Sequence, residues 1–354
     1  MKKLVALVLA GATMLMTGCG STQTAETDAY KGQTLKFYNW GEYVGENVVA
    51  DFEKQYGCKV ISEYFDSNEM MYTKLQAGDA YDVIVPSDYM IERMKKEDML
   101  QPLDKDKIPN LSKLTDKMSC DFDPDHEYSV PYFWGNVGLV YNKTKVSKDE
   151  IEAKGWDILQ DTKYKDSIYV YDSERDAFMV AFKALGYSMN TDKEEEITAA
   201  SQWLKTVNDT MGPVYVTDEV IDSMSNGAKD IAVVYSGDAA YVLDQNEDMA
   251  YCQPKQGTNV WTDAMVIPKN AENPELANVF INFILEDKES LHNSQTVGYA
   301  SSNQNVLDEL SEGDYAENEA YLPRSGYDKD EYFHDNETLR AKLSELWIKI
   351  KAGN

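Results

Sequence analysis

Basic residues, histidine and cysteine are all scarce in this chain. Its 354 residues include 34 Lys and Arg against 62 Asp and Glu, with three His and four Cys. A formal charge of −28 repels nucleic acid and anionic lipid and attracts cations, so no nucleic-acid partner is expected. His126, His292 and His334 lie far apart without ligand-like spacing, and Cys58, Cys120 and Cys252 include no Cys-x-x-Cys pair. Neither a zinc site nor a disulfide framework is expected, although one disulfide beside one free thiol stays open. Also missing are Gly-x-Ser-x-Gly, His-Glu-x-x-His and a Gly-rich phosphate loop. No catalytic residue, metal or cofactor is therefore expected, and a secreted hydrolase with paired carboxylates is the enzymatic alternative that these absences leave standing. Much of the acidic excess lies in surface segments such as Lys193-Glu194-Glu195-Glu196 and the stretch 308–331. Solubility accounts for most of it, so the charge permits a cationic ligand without proving one.

Long apolar runs are absent too, except at the start. Lys2 and Lys3 precede an apolar stretch, Leu4 to Met16, that ends in Thr17-Gly18-Cys19. It is too short to span a bilayer and reads as a secretory signal over residues 1–18. Small residues before a cysteine resemble the bacterial lipobox, which implies a lipid on Cys19, although Met16 replaces the usual Leu. Residues 19–31 then form a polar tether without apolar periodicity. Loss of the leader's two lysines takes the formal charge to about −30. The expected location is extracytoplasmic, lipid-anchored to the cell membrane, since nothing after Cys19 reads as transmembrane.

Beyond the tether, strand and helix signals alternate over a length that suits two lobes. Leu35 to Tyr38 reads as a strand. Val48, Val49, Phe52 and Tyr56 recur at helical spacing up to Gly57, and Lys59 to Phe65 is a second strand. Asn68 is expected to cap a helix ending at Gly78, and the apolar run Asp82 to Val85 closes at Pro86. The same order returns with a strand over Ser167 to Tyr171, a helix over Asp176 to Leu185 and a helix opened by a Thr191/Glu194 capping box. Strands over Ile231 to Tyr235 and Ala264 to Pro268, and helices over Pro274 to Leu285 and Glu337 to Ile350, follow. The fold class is α/β with mostly parallel sheets.

Ligands of such sheets bind where loops leave the carboxyl ends of strands. The loops there carry Trp40, Glu42, Tyr43, Ser87, Tyr89, Ser173, Asp176, Tyr235 and Asp238, and the segment before the strand at Ala264 adds Trp261 and Asp263. Singly, Trp40 suits packing and Asp176 suits a helix cap. Together, tryptophan and tyrosine faces attract a cation by about 0.5 to 2 kcal/mol per contact, and carboxylates complete the neutralisation. Carboxylates spread along an aromatic cleft suit a linear polyamine, whose methylenes need apolar walls. A quaternary amine or a basic peptide is the alternative cation.

The segments Phe37-Tyr38-Asn39-Trp40-Gly41-Glu42-Tyr43-Val44, Tyr81-Asp82-Val83-Ile84-Val85-Pro86-Ser87, Ser129-Val130-Pro131-Tyr132-Phe133-Trp134-Gly135 and Trp261-Thr262-Asp263-Ala264-Met265 occur in the order found in one known family. So do Ser67 to Leu75, Leu185 to Ser188 and Val297-Gly298-Tyr299. Over nearly its whole length after the leader, the chain resembles the spermidine/putrescine-binding lipoprotein of bacterial polyamine ABC importers. The resemblance implies the two-lobed periplasmic-binding-protein fold, type II, with the ligand between lobes, an ABC permease as partner, and no enzyme activity. It divides the chain into 32–138 plus 262–307 and 139–261 plus 308–354, with the hinge near Leu139 and Trp261. It implies an aromatic box of Trp40, Tyr89, Tyr235 and Trp261, amine-binding carboxylates Glu42, Asp176 and Asp263, and contacts from Tyr43, Ser87 and Tyr299. Ser173, Tyr235 and Phe333 stand where an acid, a tryptophan and a glutamine are common, and Asp238 is the candidate to restore the lost acid. A monomer is expected.

Overall fold

A computed structural model describes residues 29–118 and 120–353. Strand β1 (Thr34–Trp40) lies between β2 (Lys59–Phe65) and β3 (Val83–Ile84), with both pairings parallel. Between β1 and β2 runs α1 (Val48–Tyr56), which buries Val48, Phe52 and Tyr56 on one face. It ends at Gly57, whose φ of 68° belongs to the left-handed region where a side chain is strained. Helix α2 (Asn68–Gln76) joins β2 to β3, and α3 (Asp88–Lys96) follows β3.

The next strand changes the pattern. β4 (Ser129–Asn142) is 14 residues long and almost wholly buried. Its first half pairs antiparallel with β9 (Val260–Val266), and its second half with β7 (Ile231–Tyr235) and β8 (Met249–Cys252). β9 also meets β3 antiparallel at Val266 and Ile84. On the far side, β5 (Ile168–Tyr171) lies parallel between β7 and β6 (Val214–Val216). The short β10 (Ala300–Ser301) pairs with β4, and the strand order is β2-β1-β3-β9-β4-β7-β5-β6. Two parallel triplets are thus joined by two long antiparallel strands. This is the two-lobed α/β arrangement of a type II periplasmic binding protein.

Helices cover both faces of each triplet, as parallel strands require. Helix α4 (Lys148–Lys154) precedes β5. Helices α5 (Glu174–Ala184) and α6 (Glu194–Met211) separate β5 from β6, with α7 (Glu219–Ser225) and α8 (Ser236–Gln245) before and after β7. Then come α9 (Pro274–Ile284), α10 (Asp287–Val297), α11 (Gln304–Glu312) and α12 (Glu337–Lys351). In the first triplet, Phe37 packs with Phe52 and Phe280 on one face, while its neighbour Tyr38 packs with Phe65, Met71 and Met90 on the other. In the second, Phe178, Trp203 and Trp347 cover one face and Val220, Ala240 and Tyr251 the other.

Several local expectations need correction. The cap of α2 is Ser67, whose hydroxyl accepts the Met70 amide at 3.2 Å, and Asn68 is freed for other contacts. Ser173 likewise caps α5, accepting the Asp176 amide at 3.3 Å, so Asp176 lies inside the first turn. Helix α6 starts after Lys193 without a side-chain cap, because Thr191 accepts from Lys193 in a turn before it. Trp261-Thr262-Asp263 is part of β9, not a loop before a strand. Cys58, Cys120 and Cys252 are all unpaired thiols. Among the described residues no helix is long and apolar enough to cross a membrane. The leader and Cys19 lie outside them.

Candidate functional site

Because residues two apart in a strand share a face, β9 presents Trp261 and Asp263 on the same side. Asp263 is 6% exposed, and its Oδ2 accepts the Tyr43 hydroxyl at 2.9 Å while Oδ1 is buried without a partner. Its backbone bridges to Ser87, at the start of α3. Asn68 holds Ser87 from below, donating Nδ2 to the hydroxyl and accepting the amide, both at 3.0 Å. Tyr43 is set by its own carbonyl, which accepts the Tyr132 hydroxyl at 2.8 Å and Asn39 Nδ2 at 3.3 Å.

Trp261 is edge-on to Tyr299 at 4.9 Å and to Tyr235 at 6.2 Å, and its indole N–H is buried and unpartnered. Two glycines admit these rings. A Cβ at Gly135 would lie 2.5 Å from the Trp261 ring, and one at Gly237 would lie 2.4 Å from Tyr299. Tyr299 also reaches Asp238 in the first turn of α8, hydroxyl to Oδ1 at 3.4 Å. Asp176 has a donor on each oxygen, the Tyr235 hydroxyl at 2.6 Å and Asn259 Nδ2 at 3.1 Å. Tyr171 packs edge-on against Tyr235 at 4.8 Å.

Eight of the expected residues therefore meet in one cluster: Tyr43, Ser87, Asp176, Tyr235, Asp238, Trp261, Asp263 and Tyr299, while Tyr89 is bonded to Arg175, the neighbour of Asp176. Ser173 is beside it as a helix cap. Trp40 is half-buried at the end of β1, with its indole N–H donated to the Val85 carbonyl at 2.9 Å and its ring 4.5 Å from Phe65. Glu42 departs from expectation. It is exposed in a left-handed turn, φ 51°, and makes none of the cluster's hydrogen bonds or ion pairs among the described residues. A side chain between Gly41 and the anchored Tyr43 turns outward there. Tyr89 is also not a free wall, since the Arg175 guanidinium lies 3.6 Å from its ring centre.

The cluster is short of positive charge. Burial raises the Asp263 carboxyl to about 6, against the pull of the Tyr43 and Ser87 hydroxyls. Burial also raises Asp238 to about 7, with Asp218 adding to it. Asp88 was missed at the sequence level, where an acid in the first turn of a helix reads as a favourable dipole partner. Its carboxylate accepts the Tyr89 amide at 2.7 Å and the Thr262 amide at 3.1 Å, which ties α3 to β9 behind Asp263. Burial lifts it to about 8 despite those two bonds. Carboxylates held this high become charged readily once a cation joins them.

Residues 47–323 match the family described as bacterial extracellular solute-binding protein. Over 350 residues the chain is 33% identical to the spermidine/putrescine-binding periplasmic protein of Salmonella typhimurium, with 98% of each chain covered. Among solved structures, the spermidine/putrescine ABC transporter substrate-binding protein of Streptococcus pneumoniae matches with a TM-score of 0.78 at 35% identity, over 91% of this chain and 99% of that one. A lipoprotein of Treponema pallidum matches with a TM-score of 0.78 at 26% identity, over 90% and 100%.

Proposed function

This chain belongs to the bacterial extracellular solute-binding protein family, and on that premise we propose that it is a receptor that closes two lobes around a linear polyamine, spermidine or putrescine, and delivers it to an ABC permease. It performs no covalent chemistry. The observation that carries this reading is Asp263, a buried carboxylate with one oxygen unpartnered, bonded to the Tyr43 hydroxyl and on the same face of β9 as Trp261. An anion in that state is costly unless a cation meets it. A primary ammonium supplies the charge and the donor, and the rings of Trp261, Tyr235 and Tyr299 flank the methylenes. Asp238 takes a second ammonium. The lobes divide at 32–138 plus 262–307 and 139–261 plus 308–354, with β4 and β9 as the hinge. The protein acts as a monomer held to the membrane through a lipid on Cys19, a reading supported by the Gly18-Cys19 motif and by the lipoprotein among its structural relatives.

Calorimetric titration of the full chain in mild detergent with putrescine, spermidine and spermine tests the ligand class. Saturable binding to at least one is expected, and no binding to any of the three at millimolar concentration rejects the reading.

A further inference from the structure

Between α11 and α12 the chain runs back across the molecule, and residues 329–335 reach both parallel triplets. Most of this segment is fixed to the second. Buried Lys183, on α5, donates to the Lys329 carbonyl at 2.7 Å and pairs with Glu331 at 2.9 Å. Glu331 bonds through its backbone to the start of β9, its amide donating to the Thr258 carbonyl at 3.0 Å and its carbonyl accepting the Val260 amide at 2.8 Å. The fit is close, since a Cβ at Gly257 would lie 2.1 Å from the Lys329 carbonyl oxygen. Asn190, between α5 and α6, donates to the Tyr332 carbonyl at 2.7 Å and accepts the His334 amide at 2.9 Å. From there the segment crosses to the first triplet. Both Glu92 oxygens, on α3, are taken up by it, Oε1 meeting His334 Nδ1 at 2.8 Å and Oε2 accepting the Asp335 amide at 3.0 Å, while Lys96 lies 3.5 Å from Asp335. Phe333 packs against the cores of both halves.

Two halves that close on a ligand must part to release it, and a contact made only when they are together biases that equilibrium. The segment moves with the second half, to which Lys183, Asn190 and β9 fix it, whereas Glu92 moves with the first. Resting on the receptor reading above, we infer that residues 331–335 form a strap whose clasp on Glu92 holds the two halves together and slows ligand release, although both partners of the clasp lie outside the Asp263 cluster. Arg175 crosses beside it, from α5 to Tyr89 and Glu69, with its guanidinium 5.2 Å from the centre of Phe333. Apparent affinity then depends on the clasp, because it scales with the fraction of the protein in the binding-competent arrangement.

Glu92→Ala removes the catch and leaves every residue of the cluster in place. Small-angle neutron scattering of the full chain, with the detergent contrast-matched, should show a larger radius of gyration for the variant than for the wild type without ligand, and the two should agree at saturating putrescine or spermidine. Affinity for both amines should fall about three- to tenfold, the scale of one or two hydrogen bonds. Most of that change should be in the dissociation rate, with the ratio between the two amines unchanged. A contact that merely stabilises the fold would lower the unfolding temperature and nothing else, so wild-type scattering and a wild-type dissociation rate in the variant overturn the inference. His334→Ala breaks the clasp from the strap's side and should act in the same direction; it takes over the test if Glu92→Ala fails to fold. Should neither amine bind the wild type, the receptor reading fails instead, and the scattering comparison alone decides the clasp.

Discussion

The two ends of the cleft use the same residue types and differ in one respect. At one end Tyr89 and Glu69 surround the guanidinium of Arg175, so aromatic face, carboxylate and cation are all supplied by the chain. At the other, Tyr43, Trp261 and Asp263 present the face and the carboxylate without the cation. The first end thus carries its own counter-charge. The second has no such cation, and burial raises its acid to about 6. Placement of an internal cation is thus the one difference between two contacts built from the same residue types.

The comparison breaks most clearly at Asp263. Asp263→Asn keeps the shape and an oxygen for the Tyr43 hydroxyl but removes the charge. Polyamine affinity should fall by about 3 to 5 kcal/mol, the scale for a buried charge left without its partner. Thermal unfolding of the empty variant should stay near wild type, because the hydrogen bond at Tyr43 survives. A loss of less than threefold in calorimetric affinity would remove Asp263 from the site.

Protonation offers a second cut. Burial raises Asp263, Asp238 and Asp88 to about 6, 7 and 8, whereas an unfolded Asp titrates near about 3.9. Between those limits the folded empty protein holds protons that the unfolded chain has released, so its stability should fall as pH rises from about 4 to about 8. A bound cation favours the charged carboxylates and expels those protons. Affinity should therefore rise with pH over the same upper range, by up to about tenfold per unit for each proton released. Titrations in buffers of different ionisation heat count the protons, and a flat profile from pH 5.5 to 8 refutes the coupling. The Arg175 end carries its own counter-charge and should contribute little.

A smaller effect is expected at Tyr235. Tyr235→Phe deletes the 2.6 Å bond to Asp176 and leaves Asn259 as its partner. The expected cost is about 0.5 to 1.5 kcal/mol of stability, the scale of one intramolecular hydrogen bond, read from thermal or urea unfolding. An equal or larger loss of ligand affinity would show that Asp176 meets the ligand directly.

Much of the architecture was legible from local pattern. Lys59 to Phe65 and Ile231 to Tyr235 form strands with the expected bounds, and α1 stops at Gly57 as its periodicity and glycine predict. What escaped was long-range. β4 carries Pro131, Gly135 and Gly138, with a register shift between Pro131 and Phe133, and such residues hide a strand from propensity. Its pairing with both halves is set by tertiary contact. Ser67 and Asn68 are both good caps, and only the position of Ser87 nineteen residues away decides which one serves. The cluster's aromatic and acidic character was visible in its loops, but Asp88 was hidden as a routine helix-start acid, and the stacking of Arg175 on Tyr89 needs the lobes brought together.

The smallest effect belongs to Glu42, and it sharpens the same contrast. Glu42 is one residue from Tyr43, yet it is exposed with φ 51°, while Tyr43 is 7% exposed and bonded to Asp263. An ion pair made in water gains little, about 0 to 1 kcal/mol. Glu42→Gln should therefore change polyamine affinity less than about threefold at physiological salt, with a weak effect on the association rate. A tenfold or larger loss of affinity would mean that the turn from Gly41 to Tyr43 reverses on closure and brings Glu42 to an ammonium. Adjacent positions on one loop would then both be binding groups, and burial in the empty protein would no longer separate those that meet the ligand from those that face solvent.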